Sequence, residues 1–217
     1  MQLLLPIALH DDAVFENFFI GGNAHLVTLL KNFTESFIFC FGPTGAGRSN
    51  LLQACCHAHH FFYLPLACFS SLSPSIFESL EDQPGVCIDD VDAVLGDRAW
   101  EEALFYFYNR AQANNVKLLM SAKLPPQQLV CVLQDLHSRL SSALSVPVTG
   151  LTDTEKTQVL KMRANLRGFS LRDEVVHFLL THFSRSTADL FSMLDVLDRA
   201  SLTEKRKITI PFVKKFL

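Results

Sequence analysis

The segment 36–50, SFIFCFGPTGAGRSN, constrains the fold more than any other part of the chain. An almost wholly apolar run of six residues passes straight into a glycine-rich turn, and then into residues with helical spacing. A run without polar alternation suits a strand buried on both faces, and such strands belong to parallel sheets covered on each side by crossover helices. The turn matches the spacing G-x-x-x-x-G-K-[ST] across Gly42, Thr44, Gly45, Ala46, Gly47, Arg48 and Ser49, with arginine in place of lysine. Glycines let the backbone curl so that its N–H groups face phosphate oxygens, and the following helix adds its positive N-terminal end.

The rest of the first 150 residues repeats this alternation. Strand patterns fall at 36–41, 61–66, 85–91, 116–122 and 146–150. Helical patterns fall at 14–33, 48–60, 73–82, 97–114 and 127–144, and Ser73 before Pro74 reads as a helix cap. The expected architecture is a five-stranded parallel sheet sandwiched by helices. From Leu151 the character changes to three helical segments without intervening strands. The division expected is therefore a tail over 1–12, an α/β domain over 13–150 and an all-helical unit over 151–217.

The strand VCIDDV ends in Asp89 and Asp90. In phosphate-loop proteins an acid at the end of a neighbouring strand holds magnesium, together with the hydroxyl that closes the loop, here Ser49. Arg48 keeps the positive charge of the missing lysine, but a planar fork is not a point charge able to reach between two phosphates. Nucleotide binding should survive that change better than hydrolysis.

Bulk properties narrow the setting. Hydrophobic residues make up 49% of the 217 and mean hydropathy is +0.22, yet no apolar run approaches the ~18 residues of a membrane span. The start, MQLLLPIALHDD, lacks the basic and small-residue features of a signal peptide, so a cytoplasmic location is expected. A net charge of −3 argues against a DNA-binding footprint, and EKRKITIPFVKK is the one basic concentration. The six cysteines form no CxxC pair and read as buried, reduced thiols. HAHH, holding His57, His59 and His60, lacks a matching distal ligand set and reads as a helix end rather than a metal site.

An α/β nucleotide domain followed by a helical lid is the AAA+ arrangement, and FENFFIGGN (15–23) resembles the lead-in segment of DnaA-type ATPases. CIDDVDAVLGDRAWEEALFYFYNR, KLLMSAKLPPQQL, DLHSRL, MRANLRGFSL and LDRASLTEKRKITIPFVKKFL are similar to the Hda family, DnaA-related regulatory inactivators of bacterial replication initiation. The resemblance spans nearly the whole chain. It implies an ADP-bound protein, or one able to take ATP, that is tethered to the sliding clamp of DNA polymerase III and makes DnaA hydrolyse its ATP. Phe18 and Ile20 would lie beside the adenine. Gly42, Thr44 to Asn50, Asp89, Asp90 and Ser121 would surround the phosphates, with Mg2+ held by Ser49 and Asp89. Gln2, Leu3, Leu4, Leu5 and Pro6 would form the clamp-binding peptide. Arg139, in DLHSRL, would be an arginine finger lent in trans.

Two further departures from the pattern bear on hydrolysis in the chain's own site, and a third on the geometry around Arg139. Lys123 follows Ser121-Ala122 where an aspartate is usual, and Ala188 stands where the lid carries an arginine, with Arg185 nearby. LSSALS follows Arg139 where a Trp-Gly pair is common. The resemblance further implies self-association as a homodimer and, with no room for a helix-turn-helix domain after the lid, no sequence-specific DNA binding. Two other readings stay open from the residues: an independent phosphate-loop ATPase, and a DnaA-like scaffold or loader in which nucleotide is purely structural.

Overall fold

Five short apolar runs become five parallel strands. The computed structural model describes residues 9, 13–69, 73–184 and 187–217. The strands are β1 (Phe37–Phe41), β2 (Phe62–Pro65), β3 (Gly85–Asp89), β4 (Lys117–Ala122) and β5 (Leu144–Pro147). They form one parallel sheet in the order β2-β3-β4-β1-β5. Because β1 pairs with β4 on one side and β5 on the other, the strand order reverses at β1. In open α/β sheets the crevice beyond the carboxyl ends at such a reversal is where ligands bind.

Period-two alternation sorts the strand side chains onto two faces. Phe39, Leu64, Val86, Ile88, Leu118 and Met120 share a core with Leu104, Phe107 and Tyr108 of α4 (Arg98–Ala113). The intervening residues, among them Ile38, Cys40, Cys87 and Leu119, are buried on the other face. There α2 (Arg48–His59) packs against β3 and β4 through an inner side that includes Leu51, Leu52, Cys55 and Cys56. The same alternation puts Tyr63, Asp89 and Ser121 on the α2 face, near the carboxyl ends of their strands.

Several elements differ from the sequence reading. The expected helix over 14–33 becomes two 3-10 turns, Phe15–Asn17 and Gly21–Asn23, followed by α1 (Ala24–Asn32). Gly21 at φ 46° interrupts the helical path there. The expected helix over 73–82 is also a pair of 3-10 turns, Pro74–Phe77 and Leu80–Asp82, separated by Ser79 at φ 64°. A one-turn helix, α3 (Leu66–Phe69), follows β2 directly. Over 127–144 the chain makes a 3-10 turn at Pro126–Gln128 and stays non-helical until α5 (Gln134–Ser142).

The cause of that delay lies in α4. Glu101, fully buried, accepts the backbone N–H groups of Val132 (3.1 Å) and Leu133 (2.7 Å), and that of Gly96 (2.7 Å). A carboxylate collecting those amides holds Leu133 extended, and so fixes where α5 begins.

The chain divides into two compact units. The first holds Gly47–Thr149 and the segment before Thr44; the second holds Gly150–Leu217 with Thr44–Ala46. The second unit is built from α6 (Asp153–Leu166), α7 (Asp173–His182), α8 (Thr187–Glu204) and α9 (Ile210–Val213). Leu160, Val176, Leu179, Leu194, Leu197 and Phe212 lie in its own core. Thr152 and Glu155 form a reciprocal capping box that starts α6. Among the described residues, no helix is long and apolar enough to cross a membrane.

Candidate nucleotide site

The loop after β1 owes its path to close backbone approach. A Cβ at Gly42 would meet the Val148 carbonyl oxygen at 2.5 Å, so only glycine lets the chain leave β1 here without displacing the strand beside it. Gly45 (φ 82°) and Gly47 (φ 96°) then turn through the left-handed region, and Gly47 starts α2. The Phe18 ring lies against the loop: a Cβ on Gly47 would be 3.1 Å from it. Ile20, beside Phe18 in sequence, is nearly half exposed. Ser49 and Asn50 occupy the half-buried first turn of α2.

Asn23 ties this lead-in segment to the far side of the sheet. Its side-chain amide donates to the Thr149 carbonyl (3.0 Å) while its oxygen accepts the Thr149 N–H (2.8 Å). Asn23 is 3% exposed. Asn23→Ala would strand both backbone groups, and is expected to cost about 2–3 kcal/mol in a urea titration.

The acidic end of β3 is engaged by neighbours. Asp89 is 2% exposed and both of its oxygens accept hydroxyl hydrogens: Oδ2 from Tyr63 (2.7 Å), Oδ1 from Ser121. Ser121, fully buried, also accepts the N–H of Asp90 (3.0 Å). Asp90 sits in the left-handed region (φ 52°) and accepts Arg48 Nη2 at 2.9 Å. The Arg48 side chain is 7% exposed, and its Nη1 is buried without a hydrogen-bond partner among the described residues.

These contacts set the local electrostatics. Burial, with Asp89 alongside, raises the Asp90 carboxyl above the usual range, and the Arg48 guanidinium acts against that shift. Tyr63 is raised by burial and by Asp89, so its phenol keeps the proton it donates. Burial, reinforced by Asp89, pushes the Cys40 thiol up to about 12. Lys123, where the motif carries an acid, pairs with Asp92 at 3.5 Å.

Magnesium, implied by the loop pattern, fits this donor set poorly. Ser49 offers a hydroxyl in the first turn of α2, but the other expected ligand, Asp89, is buried with both oxygens committed. The expectation that Asp89 and Ser121 face a ligand thus meets a different arrangement, in which they bind each other. Tyr63, which completes it, hides in the apolar run FFYLPL; the strand alternation was the one signal that pointed to it. Glu101 and Asn23 likewise carry no motif.

Arg139 lies on α5, half-buried, and its carbonyl accepts Ser142 Oγ (2.7 Å). Among the described residues no carboxylate pairs with its guanidinium. Ala188 falls in the first turn of α8. Gln2 to Pro6 and Arg185 lie outside the described residues.

The fold has solved counterparts. Domain III of the Thermotoga maritima replication initiation protein DnaA is similar at TM-score 0.81 and 18% identity, over 97% of each chain. AMPPCP-bound DnaA from Aquifex aeolicus is similar at 0.72 and 20% identity, over 87% of this chain and 66% of that one. A Thermotoga maritima RuvB variant reaches 0.68 at 14% identity, over 94% and 70%. The α/β unit therefore has the AAA+ fold. Residues 153–217 match the family described as Hda, lid domain. The second unit is thus similar to the Hda lid. The match runs from the start of α6 through α9.

Proposed function

We propose that this Hda-like chain regulates a DnaA-type initiator by lending it a catalytic arginine, and that it holds ADP in its own loop rather than turning over ATP. The observation that carries the reading is Arg139: a half-buried arginine with no carboxylate partner among the described residues, on a helix whose start is fixed by Glu101. An arginine meant for another protein's phosphates has to be free of internal acids, yet rigidly placed.

Within the chain's own site, Gly42, Thr44 to Ser49 and Asn50 would surround the phosphates, and Phe18 and Ile20 would border the base. Loop amides and Arg48 supply the positive field. Asp90, bonded to Arg48, is poorly placed to take a proton from water, which supports retention over hydrolysis. Gln2 to Pro6 would dock on the sliding clamp by their resemblance to its binding peptide, bringing the chain to DNA. Self-association, nucleotide face to finger face, belongs to the same reading.

The test is turnover of ATP bound to DnaA, with clamp-loaded DNA, for wild type and Arg139→Ala. Equal stimulation by both overturns the mechanism.

A further inference from the structure

Arg48 makes one strong bond and leaves another unmade. Nη2 donates to Asp90, while Nη1 is buried with no acceptor among the described residues. A buried cationic donor without a partner is costly, so an acceptor belongs at Nη1. Its place at the first residue of α2, directly after the glycine loop, makes a phosphate oxygen the fitting one. The guanidinium is thus shared between Asp90 and a ligand.

Asp90 itself is held firmly. Its N–H is bonded to Ser121, whose hydroxyl is spent on Asp89, and Tyr63 holds the other Asp89 oxygen. Three carboxylates cluster at this strand end, Asp89, Asp90 and Asp92, against two cations, Arg48 and Lys123. With the cation shared and Asp89 closed to direct metal coordination, a further phosphate would bring its charge towards carboxylates with little left to neutralise it.

We infer that Asp90 is the residue that makes this a nucleoside diphosphate site. It positions Arg48 so that Nη1 serves one terminal phosphate, and its own charge repels the next. Asp90 is a positioning and selecting residue, acting through Arg48 rather than on the base or ribose. This rests on the proposed nucleotide site and adds to it the group that sets phosphate number.

The experiment is equilibrium titration of the full chain with methylanthraniloyl-ADP and methylanthraniloyl-ATP, each with Mg2+ and with EDTA. Wild type should prefer the diphosphate by about 10-fold or more, a size consistent with one like-charge contact. Asp90→Asn keeps the shape and removes the charge; it should bring the two affinities within about 3-fold, mainly by tightening the triphosphate. A general loss of structure would weaken both nucleotides alike and leave the ratio unmoved.

Arg48→Lys is the second variant. One ammonium cannot serve Asp90 and a phosphate with the same geometry, so diphosphate affinity should fall about 10-fold and the preference should shrink. An unchanged preference in the variants, or none in wild type, overturns the inference while leaving a nucleotide site intact. Failure of wild type to bind either nucleotide overturns both. A shifted ratio beside undiminished stimulation by Arg139→Ala keeps the inference and removes the finger.

Discussion

Arg139→Ala is expected to lower the rate at which DnaA-bound ATP is hydrolysed, in the presence of this chain and clamp-loaded DNA, by about 10³-fold relative to the wild-type effect. That is the low end of the range for an arginine finger supplied in trans, whose guanidinium stabilises charge spread over the transferred phosphoryl oxygens. The loss should be one of chemistry alone. No carboxylate pairs with the side chain among the described residues, and the Ser142 bond uses the Arg139 carbonyl, which alanine retains. Unfolding in urea should therefore shift by no more than about 0.5 kcal/mol, as for substitutions away from buried networks. Arg139→Lys keeps the charge but loses the fork, and should fall much closer to alanine than to wild type. The measurement is release of radiolabelled phosphate from preloaded DnaA.

Glu101→Ala should be strongly destabilising to the α/β unit, at about 2–4 kcal/mol, because it empties a fully buried position and leaves three backbone N–H groups without their charged acceptor. Those groups belong to Gly96, Val132 and Leu133, so the damage is directional: it frees the segment that sets the start of α5. Amide exchange at Val132 and Leu133 should quicken by more than the global loss accounts for. Glu101→Gln should fall between the two. Its oxygen can still accept from Gly96 and Val132, but its NH2 then faces the Leu133 N–H, donor against donor. A urea midpoint for Glu101→Ala within error of wild type would show that the carboxylate is dispensable.

The sheet was legible because strand burial leaves a strong mark. SFIFCF, VCID and KLLMSA are apolar at nearly every position, as strands covered on both faces must be, and the glycine loop fixed which strand ends at the site. The helix boundaries were less legible where a single polar side chain overrules periodicity. Residues 127–133 have helical spacing, but Glu101, distant in sequence, takes the amides of Val132 and Leu133. Residues 14–23 lose their helix to glycines and to Asn23, whose partner Thr149 lies at the other end of the unit.

At the site, the motif told where Arg48, Asp89 and Asp90 would gather, since a loop and strand end carry their own signatures. It was silent on what those residues bind in one another. Tyr63 on Asp89 pairs two strands and Asp90 on Arg48 pairs a strand end with a helix, and no local pattern encodes either.

The thiols under α2 give the molecule a clock of its own. Cys40, Cys55, Cys56 and Cys87 are buried, and burial raises the thiols of Cys40, Cys55 and Cys87, whereas Cys68 is exposed. Thiolate is the reactive form, so an alkylating reagent should label Cys68 at once and reach those four only when the sheet and helix part. Their labelling rate would time the opening of the α/β unit without any added probe, and ADP should slow it in proportion to how firmly the loop is held.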